Sequence, residues 1–293
     1  MALDAWQHSE EWNALKPQTR VSYERVINPE VGALKAIRPK PLREFVPSSV
    51  VSLRDAVAKE QKRWMANYTV KVLRVAFTWG RLHGRCESNP AQGVPLLPRR
   101  VGAREPNRAW SIEEFETVYR HASPRLRRAL TLAHYAGLRI GDIIAVAWSA
   151  WDGEVLTVRQ SKTGQTVFIR APRPLRDELN AAPREGTQIV VNRQGRPYTR
   201  DGIQTNLWRL TKKLEAMHLV EPGLCFHGLR HALGAALYDL GLDREARKAA
   251  LGHTSDAASM IYERGGNRRA ASDRAFAALD VHLASRALRK NAK

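Results

Sequence analysis

Residues 227–255 read HGLRHALGAALYDLGLDREARKAALGHTS. Leu229, Leu233, Ala236 and Leu240 recur at helical spacing, so a buried helix is expected over 228–240, and a shorter one follows over 243–251. Polar residues interrupt the apolar pattern where packing alone would not need them. His227 and Arg230 lie three apart and share a helical face, whereas His231 points about 100° away from Arg230. His253 stands just past a Leu-Gly step, and Tyr262 follows nine residues later on a further expected helix over 255–263. The stretch therefore reads as a helical framework that presents cationic and nucleophilic side chains.

Upstream, AGLRIGD (136–142) puts Arg139 just past a buried helix marked by Leu126, Leu130, Ala133 and Gly137, with Asp142 three residues on. Segments 154–159 and 166–170 alternate and are β-branched, and Ser161-Lys-Thr-Gly164 between them has turn chemistry. This predicts a β-hairpin with Lys162 at its tip, and 187–191 is a candidate third strand. Ser111 with Glu114 forms a capping box for a helix to His121, and further helices are expected over 199–218 and 270–286. The fold class is thus mainly α with a small β-sheet over residues 110–293, behind a linker at 88–109 that is rich in Pro and Arg.

Residues 1–87 read as helical, with helices expected over 17–27, 50–62 and 67–83. On the last, Val70, Leu73 and Phe77 make the core stripe, and Lys71, Arg74, Arg81 and Arg85 fall within one sector of about 80° beside it. That basic face suits a DNA groove as well as it suits solvent. Arg99, Arg100 and Arg104 of the linker would suit an extended crossing of a phosphate backbone.

The charge agrees. The chain of 293 residues carries 48 Lys+Arg against 29 Asp+Glu, a net +19, and the excess is divided: 17 basic and 9 acidic residues up to 103, and 31 and 20 after it. Cations spread over two folded regions favour a polyanion contacted along a long surface, DNA or RNA, over a basic tail. At 43% hydrophobic the chain is no disordered protein, and no run approaches the ~18 apolar residues of a membrane helix. The N-terminus lacks the layout of a signal peptide, so a cytoplasmic location and no membrane partner are expected. Cys86 and Cys225 are too few for a disulfide scaffold and have no metal-type spacing, which excludes a zinc finger.

In order and spacing, AGLRIGD (136–142), QSKTG (160–164), HGLRH (227–231), LGHTS (251–255) and the step from His253 to Tyr262 resemble the catalytic domain of the tyrosine recombinases, the phage integrase family. The likeness covers roughly residues 105–285, and 1–103 look like that family's helical core-binding domain, down to SNPAQG (88–93). The resemblance implies a core-binding domain followed by an α+β catalytic domain that cleaves and rejoins DNA through a 3′-phosphotyrosine bond. Tyr262 would be the nucleophile, Arg139 and Arg230 the clamps on the non-bridging oxygens, and Lys162 the acid for the leaving 5′-oxygen. His227 would orient the phosphate and share in proton transfer, His253 would donate to the phosphate, Asp142 would brace Arg139, and His231 would support from behind. Such chemistry needs no metal and no other cofactor. Expected partners are duplex core sites, a homotetramer on two of them, with 270–293 docking on a neighbour, and accessory DNA-bending or directionality proteins.

Rival readings are weaker. His227 and His231 have a zinc-compatible spacing, but Gly228 stands where the zincin motif has Glu. A non-catalytic DNA-binding protein would not need Tyr262, Lys162 and two arginines together, and a type IB topoisomerase would act without a specific site. Within the family, integration or excision of a phage or other mobile element competes with resolution of chromosome dimers. The chain begins almost at the core-binding domain, without a separate arm-site domain, which counts somewhat against a phage origin; the mobile-element role is still the expectation.

Overall fold

The computed structural model describes residues 2–28, 30, 32–34, 45–100, 102, 105, 107–252 and 254. The chain divides into two compact units, Met1–Ala103 and Arg104–Lys293, each with its own apolar core.

The first unit contains α1 (Ala2–Gln7), α2 (Glu10–Asn13), α3 (Pro17–Ile27), α4 (Pro47–Gln61) and α5 (Arg63–Leu82). α3 and α4 each begin with Pro in the first turn, where the missing N–H costs no bond. α5 is the spine: Val70, Leu73, Ala76 and Phe77 are buried, and α4, α3 and α1 pack on it. Trp6 meets Trp12 edge-on with centroids 5.0 Å apart, and both lean on Tyr23. The segment after α5 is not a loose strap. Asn67 exchanges two bonds with Leu97, its Nδ2 donating to the carbonyl (3.0 Å) and its Oδ1 accepting from the amide (2.8 Å). Arg54 donates to the Pro95 carbonyl at 2.6 Å, and Ala91 and Val94 are buried in the unit's core.

The second unit contains α6 (Ile112–His121), α7 (Pro124–Tyr135), α8 (Ile140–Ala145), β1 (Val155–Arg159), β2 (Thr166–Arg170), α9 (Arg173–Ala181), α10 (Arg200–Ala216), α11 (Phe226–Asp239) and α12 (Arg244–Leu251). The capping box forms as expected: Ser111 Oγ accepts from the Glu114 amide and Glu114 Oε2 accepts from the Ser111 amide. Arg108 grips the same carboxylate with both terminal nitrogens and also donates to the carbonyls of Glu221 and Pro222. α7, with Leu126, Ala129, Leu130 and Ala133 buried, is the central helix, and α11, α9, α8 and α10 all touch it. β1 and β2 form an antiparallel hairpin in the register Val155↔Arg170 to Arg159↔Thr166.

One expectation needs revision, and one helix is additional to those expected. Residues 187–191 do not form a third strand: among the described residues the sheet has two strands, and this segment makes only single bridges, Ala147 to Gln188 and Val191 to Pro197. Its apolar run is buried because Ile189, Val190 and Val191 fill the core, which β-branched residues do without a ladder. Conversely, α9 was hidden by Pro172 and Pro174, which lie just before and within its first turn; Leu175 and Leu179 bury its inner face. The expected helices over 255–263 and 270–286 lie outside the described residues.

Candidate active site

A cleft of about 750 Å³ in the second unit is walled by Arg139, Lys162, His227 and a set of α10 residues that includes Arg200, Gln204 and Trp208. Each arrives there for a local reason. Gly137, at φ +60°, turns the chain sharply after α7, and Arg139 then occupies the N-cap of α8. Lys162 is exposed in the loop joining β1 to β2. His227 sits in the first turn of α11, whose start is fixed by Trp110 Nε1 donating to the Cys225 carbonyl at 2.9 Å. Three residues separated by as many as 88 positions, Arg139 and His227 among them, thus face one cavity.

The electrostatics are strongly cationic. Burial of the ring, then the charges of His231, Arg230, Arg139 and Lys162, pull the His227 imidazole from 6.5 down to about 4. His227 is therefore neutral near pH 7 and can accept a proton as well as donate one. His231, its ring centroid 4.7 Å from that of His227, is also lowered, by burial and by Arg230, with Glu105 opposing.

Arg230 is 1% exposed and is not on the cleft wall; its two terminal nitrogens donate to the carbonyls of Gly137 and Leu251. Asp142 differs from its expected task. Its Oδ1 accepts from the amide (2.9 Å) and hydroxyl (2.8 Å) of Ser161, so it braces the lysine loop. Arg139 instead donates to Oε1 of Gln160. The reason is reach: at the third residue past Arg139, Asp142 points inward from α8, where it is 2% exposed, toward the hairpin. His253, Tyr262 and Arg104 lie outside the described residues.

In the first unit, the basic sector on α5 is less uniform than its spacing implies. Lys71 is exposed and lines a groove with Arg25, Arg63 and Trp64. Arg74 is turned inward: its guanidinium donates to the carbonyls of Ala91 (3.0 Å) and Val94 (2.6 Å), fastening the following segment to the helix. Arg81 is exposed, while Arg85 lies beyond the helix end, its guanidinium 5.8 Å from the Trp79 ring centre. Arg99 and Arg100 are exposed and share a second groove with Lys59, Lys62 and Arg63.

Four residues beyond the expected set belong to the site. Arg200, Gln204 and Trp208 stand at i, i+4 and i+8 on α10, all exposed, Trp208 by 58%. That stripe was visible in the spacing. Gln160 was not, since a glutamine just past a strand reads as solvent-facing, and its buried partners include one as distant in sequence as Leu251. Among the described residues no cluster of three His, Cys, Asp or Glu is placed to hold a metal, and no helix is long and apolar enough to cross a membrane.

Comparison with known proteins is consistent across the chain. The profile described as the Phage integrase family matches residues 111–267. The integrase of Enterobacteria phage 434 is 25% identical over 279 residues, covering 89% of this chain and 74% of its own. Tyrosine recombinase XerA of Thermococcus kodakarensis is 27% identical over 204 residues, 67% of this chain and 69% of its own. Among solved structures, a lambda integrase dimer bound to a COC′ core site superposes with a TM-score of 0.71 at 22% identity, covering 89% of this chain and 75% of that one. A lambda integrase tetramer bound to a Holliday junction gives 0.69 at 23%, covering 87% and 77%.

Proposed function

This chain belongs to the phage integrase family and is a tyrosine-type site-specific recombinase, and from that premise we propose that it integrates or excises a phage or other mobile element. The observation that carries the mechanism is the convergence of Arg139, Lys162 and neutral His227 on one cleft. In the proposed reaction the Tyr262 oxygen attacks the scissile phosphorus while its proton passes to His227. The bond from phosphorus to the 5′-oxygen breaks, and Lys162 supplies the proton that makes the free 5′-hydroxyl. An ammonium can give up its proton at this step where a guanidinium cannot. Arg139 holds the non-bridging oxygens, with Arg230 as a second clamp once DNA binding exposes it, and His253 donates to the same phosphate. The phosphotyrosine conserves the bond energy, so religation by an incoming 5′-hydroxyl needs no nucleotide.

Residues 1–87 are proposed to be the core-binding domain, with Lys71, Arg81, Arg85, Arg99, Arg100 and Arg104 toward DNA, and 110–293 the catalytic domain. The assembly proposed is a homotetramer on two core sites. The likeness to XerA supports a second reading, resolution of chromosome dimers by the same chemistry. A suicide duplex carrying a nick near the core site tests the common step: the native protein gives an SDS-resistant adduct and Tyr262→Phe gives none. An adduct persisting in Tyr262→Phe removes the assignment. Recovery of the chain's reading frame beside matching attachment sites, rather than beside a chromosomal dimer-resolution site, separates the two roles.

A further inference from the structure

The buried face of β1 is apolar at Leu156 and Val158, and the next inward position is Gln160, at 1% exposure. Burying an amide there is costly unless its polar atoms are used. They are. Oε1 accepts from Arg139 and from the Thr163 hydroxyl (3.1 Å), and Nε2 donates to the Leu251 carbonyl at 2.9 Å. The residue is itself fixed by its main chain, whose amide donates to Gln165 and whose carbonyl accepts from Gly164, both at 2.8 Å. The fit at its far end leaves no slack: Gly252, at φ +61°, would bring a Cβ to 2.5–2.6 Å from the Gln160 amide.

One side chain therefore meets three parts of the site. Gln160 and Thr163 flank Lys162 in the loop, Arg139 lies on the cleft wall, and Leu251–Gly252 is the end of α12 that leads in sequence to His253. We propose that Gln160 is a positioning residue for strand cleavage, holding the Arg139 guanidinium, the lysine loop and the end of α12 in one register. The inference rests on Arg139 being a phosphate clamp. An arginine alone samples many rotamers, and a fixed acceptor selects one. A neutral amide does this without neutralising the charge that the phosphate must meet, and a carboxylate would also face the Leu251 carbonyl with no proton to offer.

The test uses the full chain and two suicide duplexes, one with a normal scissile phosphodiester and one with a neutral methylphosphonate there. Removing the phosphate charge removes most of the need for a clamp, so a defect acting through Arg139 shrinks on the neutral duplex and a general structural defect does not. Arg139→Ala comes first: cleavage of the phosphodiester at the native rate would overturn the clamp reading itself. With Arg139→Ala slow, Gln160→Met and Gln160→Leu are compared, and the variant melting nearest the native protein is read. The expected result is cleavage on the order of 100-fold slower on the phosphodiester, with core-site affinity unchanged and most of the loss recovered on the methylphosphonate. Native-rate cleavage by the Gln160 variant, or an equal loss on both duplexes, overturns the positioning role while leaving the clamp in place.

Discussion

Two arginines of one proposed clamp live in opposite surroundings. Arg139 is half-buried on the cleft wall, and Arg230 is buried against two main-chain carbonyls. Truncating them should therefore differ in kind. In Arg230→Ala the Gly137 carbonyl loses its guanidinium partner, while that of Leu251 keeps the Gln160 amide. A stability loss of about 1–3 kcal/mol is expected for the orphaned acceptor, and a smaller one for Arg139→Ala, although both lose cleavage. Urea unfolding of the two variants checks this, and equal stability would mean that the buried Arg230 contributes no more to the fold than Arg139 does.

At the level of helices, α6 and α7 meet through His134, which stacks on Phe115 with ring centroids 4.0 Å apart and planes 15° from parallel. Burial alone lowers its pKa from 6.5 to about 4. The unfolded chain takes up a proton at this ring below about 6.5 and the folded chain only near 4, so stability is complete above that window and falls with acidification through it. His134→Phe should flatten the decline between pH 6.5 and 4 without abolishing it, since His227 is shifted the same way. Melts at half-unit pH steps would reveal an unchanged slope if the ring were protonated in the fold. These helices were legible beforehand, because a capping box and a 3.6-residue apolar period are local signals. So was the hairpin that carries Lys162. The buried run at 189–191 and the helix behind Pro172 and Pro174 were not, because tertiary packing decided the first and proline in a first turn disguised the second. For the site, the residue types of the cleft could be read, but the bonds of Asp142, Gln160 and Arg74 could not. Each depends on a partner 17 to 91 positions away, which no local pattern reports.

For the whole chain, the net +19 is divided between structural and surface duties. Arg54, Arg74, Arg108, Arg128 and Arg230 donate to main-chain carbonyls, whereas Lys71, Arg81, Arg99, Arg100 and Arg200 are exposed. If ~10 phosphates are neutralised on a core site, log affinity should fall with log salt at a slope near about −9. Anisotropy titrations across salt concentrations measure it, and a slope near −3 would mean that most surface cations never meet the backbone. The bonds made at Leu97 and Arg108 also bear on where the chain can tolerate a deletion. Composition marked 88–109 as the connection, but Leu97 is moored to Asn67, and Arg108 to Glu114, Glu221 and Pro222. Cutting into 89–97 therefore lowers the stability of the first unit, and removing Arg108 lowers that of the second.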